Sequence, residues 1–201
     1  MRYLIPAMFC VIISLTAFMP KGTKVGKKAP EFTLKNVTGE MVSLSDYSKG
    51  DGGVILIFTC NHCPYAKLYE DRIKALHAKY QPQGWPVVAI NPNDPAIAPD
   101  DSYERMQEIA TAHAYDFPYL FDEAQTVFSA YGATRTPQVF LLENTNKGFK
   151  VAYIGAIDDQ AKDASAVSER FVENAIESLK KGEKIEVTET KAIGCSIKVK
   201  S

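Results

Sequence analysis

From Gly53 to Thr59 the chain reads GVILIFT, an unbroken apolar and β-branched run behind a pair of glycines. A run of this kind predicts a strand buried on both faces, at the centre of a sheet. Beyond it, Tyr65, Leu68, Tyr69, Ile73, Leu76 and Tyr80 recur at helical spacing and predict an amphipathic helix over 64–80. WPVVAI, ending at Ile90, predicts a second buried strand, and FPYLF, ending at Phe121, a short third one. Between these two lies the proline-punctuated loop NPNDPAIAPDD. Asp101 with Glu104 reads as a capping box that opens a helix running to about His113. Residues 122–131 predict a short helix. PQVFLLE and FKVAYIG, joined by the polar turn Asn144–Gly148, predict an antiparallel hairpin. Val167, Phe171, Ala175 and Leu179 mark a last helix. Ahead of the central strand, APEFTLKNVTGEMVSLSDY alternates around Thr38 and Gly39 and predicts a short hairpin. The order implies an α/β domain: a mixed central sheet with parallel crossovers, a late antiparallel hairpin, and helices on both faces.

Composition fits that picture. The 201 residues are 46% apolar and 23% charged, with a net charge of −1, as in one soluble globular domain. No basic face of the kind a nucleic-acid binder carries stands out. The first twenty residues differ: Met1 and Arg2 precede an apolar run over 3–19, and PKGTKVGKK then turns basic. This is the pattern of a secretory signal or an N-terminal anchor. It places the folded part outside the cytoplasm, in a periplasm or cell envelope, and a retained 3–19 segment would tether the chain to a membrane. Residues 21–30 read as a Lys/Gly-rich linker and 31–201 as the folded domain. Neither a cofactor motif nor a signal for a particular oligomeric state is present.

Export changes the meaning of the cysteines. Of Cys10, Cys60, Cys63 and Cys195, the last three face an oxidising compartment, and three cannot all pair within one chain. Cys60 and Cys63 bracket Asn61 and His62 where the central strand gives way to a helix. Unpaired N–H groups and the helix dipole favour a thiolate there, and His62 offers a nearby positive charge. Two thiols at this spacing can close on each other, one attacking a disulfide and the other resolving it. Pro64 suits the first helical position if Cys63 is the N-cap, and suits the helix less well if Cys60 is. A purely structural disulfide would close a tiny loop and stabilise little. His62, His77, His113 and Cys195 lack ligand-like spacing for a metal, and haem attachment wants a His where Pro64 stands. His77 and His113 read as ordinary half-exposed helical residues. Pro137 in ATRTPQVFLL removes an N–H from the sheet edge. If Thr136–Pro137 is cis, the Thr136 backbone is presented beside the thiols, where an extended substrate segment could pair with it.

The pieces APEFTL, GEMVSLSDY, FTCNHCPY, NPND, FPYLFDE, YGATRTPQVFLL, YIGAIDD and GCSIK, in that order, resemble the thioredoxin-fold redoxin group. The similarity is to exported peroxiredoxin-like members of AhpC/TSA type. It implies a thioredoxin-like fold, a redox pair at Cys60 and Cys63, and a cis-proline at Pro137. The chain also departs from its relatives. Leu56 and Cys60 stand where peroxiredoxins carry Pro and Thr or Ser, so the groups that polarise a peroxide are missing. Val54 replaces the buried Asp of thioredoxins, and Asp94 in NPND lies where related envelope reductases have an acid near the thiols. Asp94 can equally just shape a turn. Cys195 is a candidate third redox thiol, a small buried hydrophobe, or a thiol for intermolecular pairing. The expected function is an exported thiol–disulfide oxidoreductase in which Cys60 attacks protein disulfides and Cys63 resolves, with no cofactor or metal. The alternatives are a thiol peroxidase and a redox-inert or metal-carrying binding module. A copper carrier of this fold would be expected to show CxxxCP and a dedicated His.

Overall fold

The computed structural model describes residues 22–200, so the apolar segment 3–19 lies outside the described residues. Among the described residues no helix is long and apolar enough to cross a membrane. The elements run β1 (Thr33–Asn36), β2 (Met41–Ser43), β3 (Gly53–Phe58), α1 (Pro64–Tyr80), β4 (Val87–Asn91), α2 (Tyr103–Ala112) and β5 (Tyr119–Phe121). They continue with α3 (Thr126–Tyr131), β6 (Arg135–Thr136), β7 (Gln138–Thr145), β8 (Gly148–Gly155), α4 (Phe171–Lys180) and β9 (Cys195–Ser196). Seven strands form one sheet in the order β2-β1-β5-β4-β3-β7-β8, while β6 and β9 make a separate small ladder.

GVILIF is the centre of that sheet because it has no polar face to spare. β3 pairs in parallel with β4 on one side and antiparallel with β7 on the other. Alternate side chains then enter two different cores. Ile55 and Ile57 join Val87, Ala89, Val139 and Leu141 on one face, beneath Tyr69, Ile73 and Leu76 of α1 and Val172 and Ile176 of α4. Val54, Leu56 and Phe58 join Val88, Ile90, Phe140 and Leu142 on the other, against Val127 and Tyr131 of α3. Truncating a fully buried residue such as Leu141 to Ala costs about 2–5 kcal/mol in cores of this kind. Gly53 opens the strand because a side chain could not fit: a Cβ there would lie 1.9 Å from the Leu142 carbonyl oxygen and 2.4 Å from the Trp85 ring.

Three expectations need correction. Residues 22–30 are not a detached linker, for Gly26 N donates to Val151 O and Ala29 N to Phe149 O, both at 2.8 Å, and Ala29 is buried. Backbone donors of this segment thereby cover an open edge of the sheet. Leu68 is exposed and Ala66 takes its place on the inner face of α1. His77 is buried, with its Nδ1 accepting the Val87 N–H at 3.2 Å and its ring against Phe117. Burial lowers its pKa and keeps it in the neutral form that this acceptor role requires.

Candidate active site at three thiols

The turn between β3 and α1 resolves the question Pro64 raised. Cys63 is the N-cap, with φ −69° and ψ 123°, and Pro64 is the first helical residue. The Cys63 carbonyl accepts the first bond, from Lys67 N at 3.1 Å. Pro64 has no N–H to leave unpaired, so it costs the helix nothing there. The helix N-terminus therefore addresses Cys63, and Cys60 sits one step outside it.

Both thiols meet Thr136. Cys60 Sγ lies 3.2 Å from Thr136 Oγ1, and Cys63 Sγ lies 3.2 Å from the Thr136 carbonyl oxygen, to which it donates in its thiol form. The Thr136–Pro137 peptide bond is cis. Cys63 is fully buried, while Cys60 keeps 6% of its surface. That small surface opens into a cavity of about 410 Å³, lined on its apolar side by Ala66, Ile73, Ile109, Tyr115, Phe117 and Tyr119. The hydrogen bond from Cys60 holds the Cys63 thiol down to about 4, against its burial, with help from Cys195 and the Ala66 N–H. Cys60 is pushed up by that same bond, by burial and by the charge of Asp101. The two sulfurs share one proton, and the charge of the reduced pair rests on Cys63.

The acid that organises this turn is Asp101. The capping-box expectation placed it outside the site. In the structure Ser102 is the N-cap of α2, its hydroxyl accepting Arg105 N at 3.3 Å, and Asp101 is turned inward and fully buried. Asp101 Oδ1 accepts Asn61 N at 2.6 Å and His62 N at 3.3 Å, while Oδ2 accepts Asn93 Nδ2 at 2.7 Å and pairs with His62 Nδ1. Asn61 is held further by its Nδ2 donating to Asp100 O at 2.8 Å and its Oδ1 accepting Tyr119 OH at 2.9 Å. His62 is therefore tied to a buried carboxylate through both its backbone N–H and its ring. Asp94 lies elsewhere: its Oδ1 accepts Ala96 N at 3.1 Å, within its own turn, and its backbone N–H donates to Lys198 O at 2.9 Å. The doubled acid of APDD was the available clue, since one residue suffices for a cap.

Cys60 Sγ, a His62 ring nitrogen and an Asp101 oxygen lie within 4.8 Å of one another, near enough to consider a metal ion. Both Asp101 oxygens already accept two hydrogen bonds each. This donor set suits a turn braced by hydrogen bonds better than a cation, which would have to displace them.

The other side of Thr136 overturns an expectation. Its backbone is not open to a substrate strand, because β9 pairs antiparallel with β6 there, with Thr136 opposite Cys195 and Arg135 opposite Ser196. Thr136 is fully buried as a result. Gly194 permits the approach: a Cβ at that position would meet the Thr136 carbonyl oxygen at 2.2 Å and its carbon at 2.6 Å. Cys195 is half-buried and packs against the Cys60, Cys63 and Ala66 cluster. Burial and the charge of Cys63 push its pKa up to about 11, with Lys198 and Arg135 opposing. All three described cysteines are thiols.

The AhpC/TSA family model matches residues 25–153, most of the folded part and the whole of the Cys60 turn. The chain belongs to the AhpC/TSA family. It is an oxidoreductase with a thioredoxin-like fold. A curated relative, the thiol-disulfide oxidoreductase ResA of Halalkalibacterium halodurans, is 26% identical over 137 residues, which span 68% of this chain and 72% of ResA. Among solved structures, an uncharacterized conserved protein from Geobacillus kaustophilus superposes with a TM-score of 0.81 at 37% identity, covering 88% of this chain and 93% of that one. The exposed lipoprotein thioredoxin Etrx1 of Streptococcus pneumoniae shares the fold, with a TM-score of 0.56 at 17% identity over 74% of this chain and 99% of that one.

Proposed function

We propose that this redoxin is an exported thiol–disulfide oxidoreductase that exchanges disulfides with protein thiols through Cys60 and Cys63. The observation that carries the reading is the division of labour at Thr136. Cys60 reaches the 410 Å³ cavity, and Cys63 lies buried behind it at the helix N-cap. Cys60 is the sulfur a substrate disulfide can reach, and its proton passes to Cys63, its neighbour in the same buried cluster, as it attacks. Cys60 attacks, a mixed disulfide forms, and one substrate sulfur leaves as a thiolate. Cys63 then loses its proton again and attacks Cys60 Sγ, releasing the second substrate thiol and leaving the Cys60–Cys63 disulfide. The likeness to ResA, a thiol-disulfide oxidoreductase, supports disulfide exchange, and the charged-then-apolar start of the chain supports a place outside the cytoplasm. Asp94 has no part in this reading. Pro137 keeps an N–H away from the thiols, and His62 acts with Asp101.

The test is trapping. Cys63→Ser is expected to accumulate mixed disulfides with protein partners through Cys60, and Cys60→Ser to accumulate none. Trapping by Cys60→Ser alone would reverse the roles. A thiol peroxidase is the second reading, favoured by a low-pKa thiol capping a helix. Cys63 is fully buried and faces a carbonyl acceptor, not oriented donors, so slow turnover of hydrogen peroxide is expected. Peroxide consumption at the rate of a dedicated peroxidase would make that reading the first.

A further inference from the structure

We propose that Cys195 is the third thiol of a relay, moving the disulfide from Cys60–Cys63 to Cys63–Cys195 and so from the cavity at Cys60 to the half-buried Cys195. The inference rests on the exchange reading above. Cys60 and Cys63 share one buried cluster, and Cys195 packs against it. The arrangement is built into the backbone. The β6–β9 ladder sets Cys195 opposite Thr136, whose carbonyl already holds Cys63 Sγ at 3.2 Å, and Gly194 brings the strand in to a distance no other residue would allow. Asn93 and Gln125 anchor the strand beyond it: Asn93 Oδ1 accepts Lys198 N at 2.8 Å, and Gln125 Oε1 accepts Lys200 N at 2.7 Å.

In the relay step, the Cys195 thiolate attacks Cys63 Sγ of the oxidised pair. The Cys63–Cys195 bond forms, the Cys60–Cys63 bond breaks, and the electron pair departs on Cys60. Cys195 gives its proton to solvent and Cys60 takes one back, so the chain still holds one disulfide and no outside oxidant is consumed. Cys60 becomes a thiol again in its cavity, while the disulfide now reaches the surface at half-buried Cys195. A second protein dithiol can reduce it there without entering the Cys60 cavity. Burial raises the Cys195 thiol, and the positive charges of Lys198 and Arg135 oppose that rise.

The test is disulfide mapping. The full-length parent, Cys60→Ser and Gly194→Ala would each be oxidised with diamide, alkylated, and cut with trypsin. Cleavage after Lys49, Lys67, Lys191 and Lys198 puts Cys60 and Cys63 in peptide 50–67 and Cys195 in peptide 192–198. Cys60→Ser is expected to yield the two peptides linked. The parent is expected to yield the internal disulfide together with a linked form carrying alkylated Cys60. Gly194→Ala, with every cysteine present, is expected to keep the internal disulfide and lose the link. No linked pair in Cys60→Ser, with an intact Cys60–Cys63 disulfide in the parent, overturns the relay and leaves the exchange reading standing. A parent that forms no Cys60–Cys63 disulfide overturns both.

Discussion

The two flanks of Cys63 are held in different ways. On the Cys60 side a buried carboxylate braces the turn through three hydrogen bonds and takes a fourth from Asn93, and the sulfur looks into an aromatic cavity. On the Cys195 side a two-residue strand rests on a backbone ladder, and a glycine provides the clearance. One flank is rigid because its polar groups cannot be released into the core without loss. The other is an edge strand near the C-terminus, and such edges open at lower cost than core strands. The site can thus keep the Cys60 thiol in fixed geometry while Cys195, half-buried, rests on a lighter strand.

Breaking the rigid flank is expected to have the largest effect. Asp101→Ala would leave His62 without its partner and the donors of Asn61 and Asn93 unpaired, a loss of about 3–5 kcal/mol in chemical denaturation. Asp101→Asn keeps an acceptor for the backbone and removes the charge that opposes a Cys60 thiolate. Its reduction potential, measured against glutathione, should rise, because the reduced form gains stability. An unchanged potential would mean that Asp101 braces the turn without tuning the thiols.

Breaking the light flank should cost less. Gly194→Ala forces a Cβ against Thr136, and overpacking of this sort costs about 1–3 kcal/mol. Thermal unfolding should show a modest drop while Cys60–Cys63 chemistry persists. A loss as large as that of Asp101→Ala would mean that both flanks are equally built in.

The proton shared across the middle predicts a pH signature. Cys63 is depressed to about 4, so reduced protein should carry one thiolate at neutral pH and lose its ultraviolet absorbance as pH falls through that value. Cys60→Ala removes the donor of the dominant hydrogen bond, so the step should move to higher pH. A step that stays in place would assign the depression to the helix N-terminus alone. Asp94→Asn should do least, leaving potential and titration unchanged, because its carboxylate only shapes a turn.

The central strand, α1 with its Pro64 start, and the β7–β8 hairpin were legible because their signals are local. Periodicity, a proline at the first helical position and a polar turn are written in neighbouring residues, and the CNHC pair lies inside one such local transition. The same locality misled at Asp101, where a valid capping pattern hid a carboxylate needed 40 residues upstream, and at Leu68, whose helical spacing placed it on the wrong face. β6 and β9 carry too few residues for any periodicity, and their pairing joins positions 135–136 with 195–196. The sequence by itself determined that two thiols would stand at the mouth of a buried strand. Only the tertiary structure decided that a third would arrive from the far end of the chain, because contacts between distant segments depend on what the intervening fold brings to the same edge.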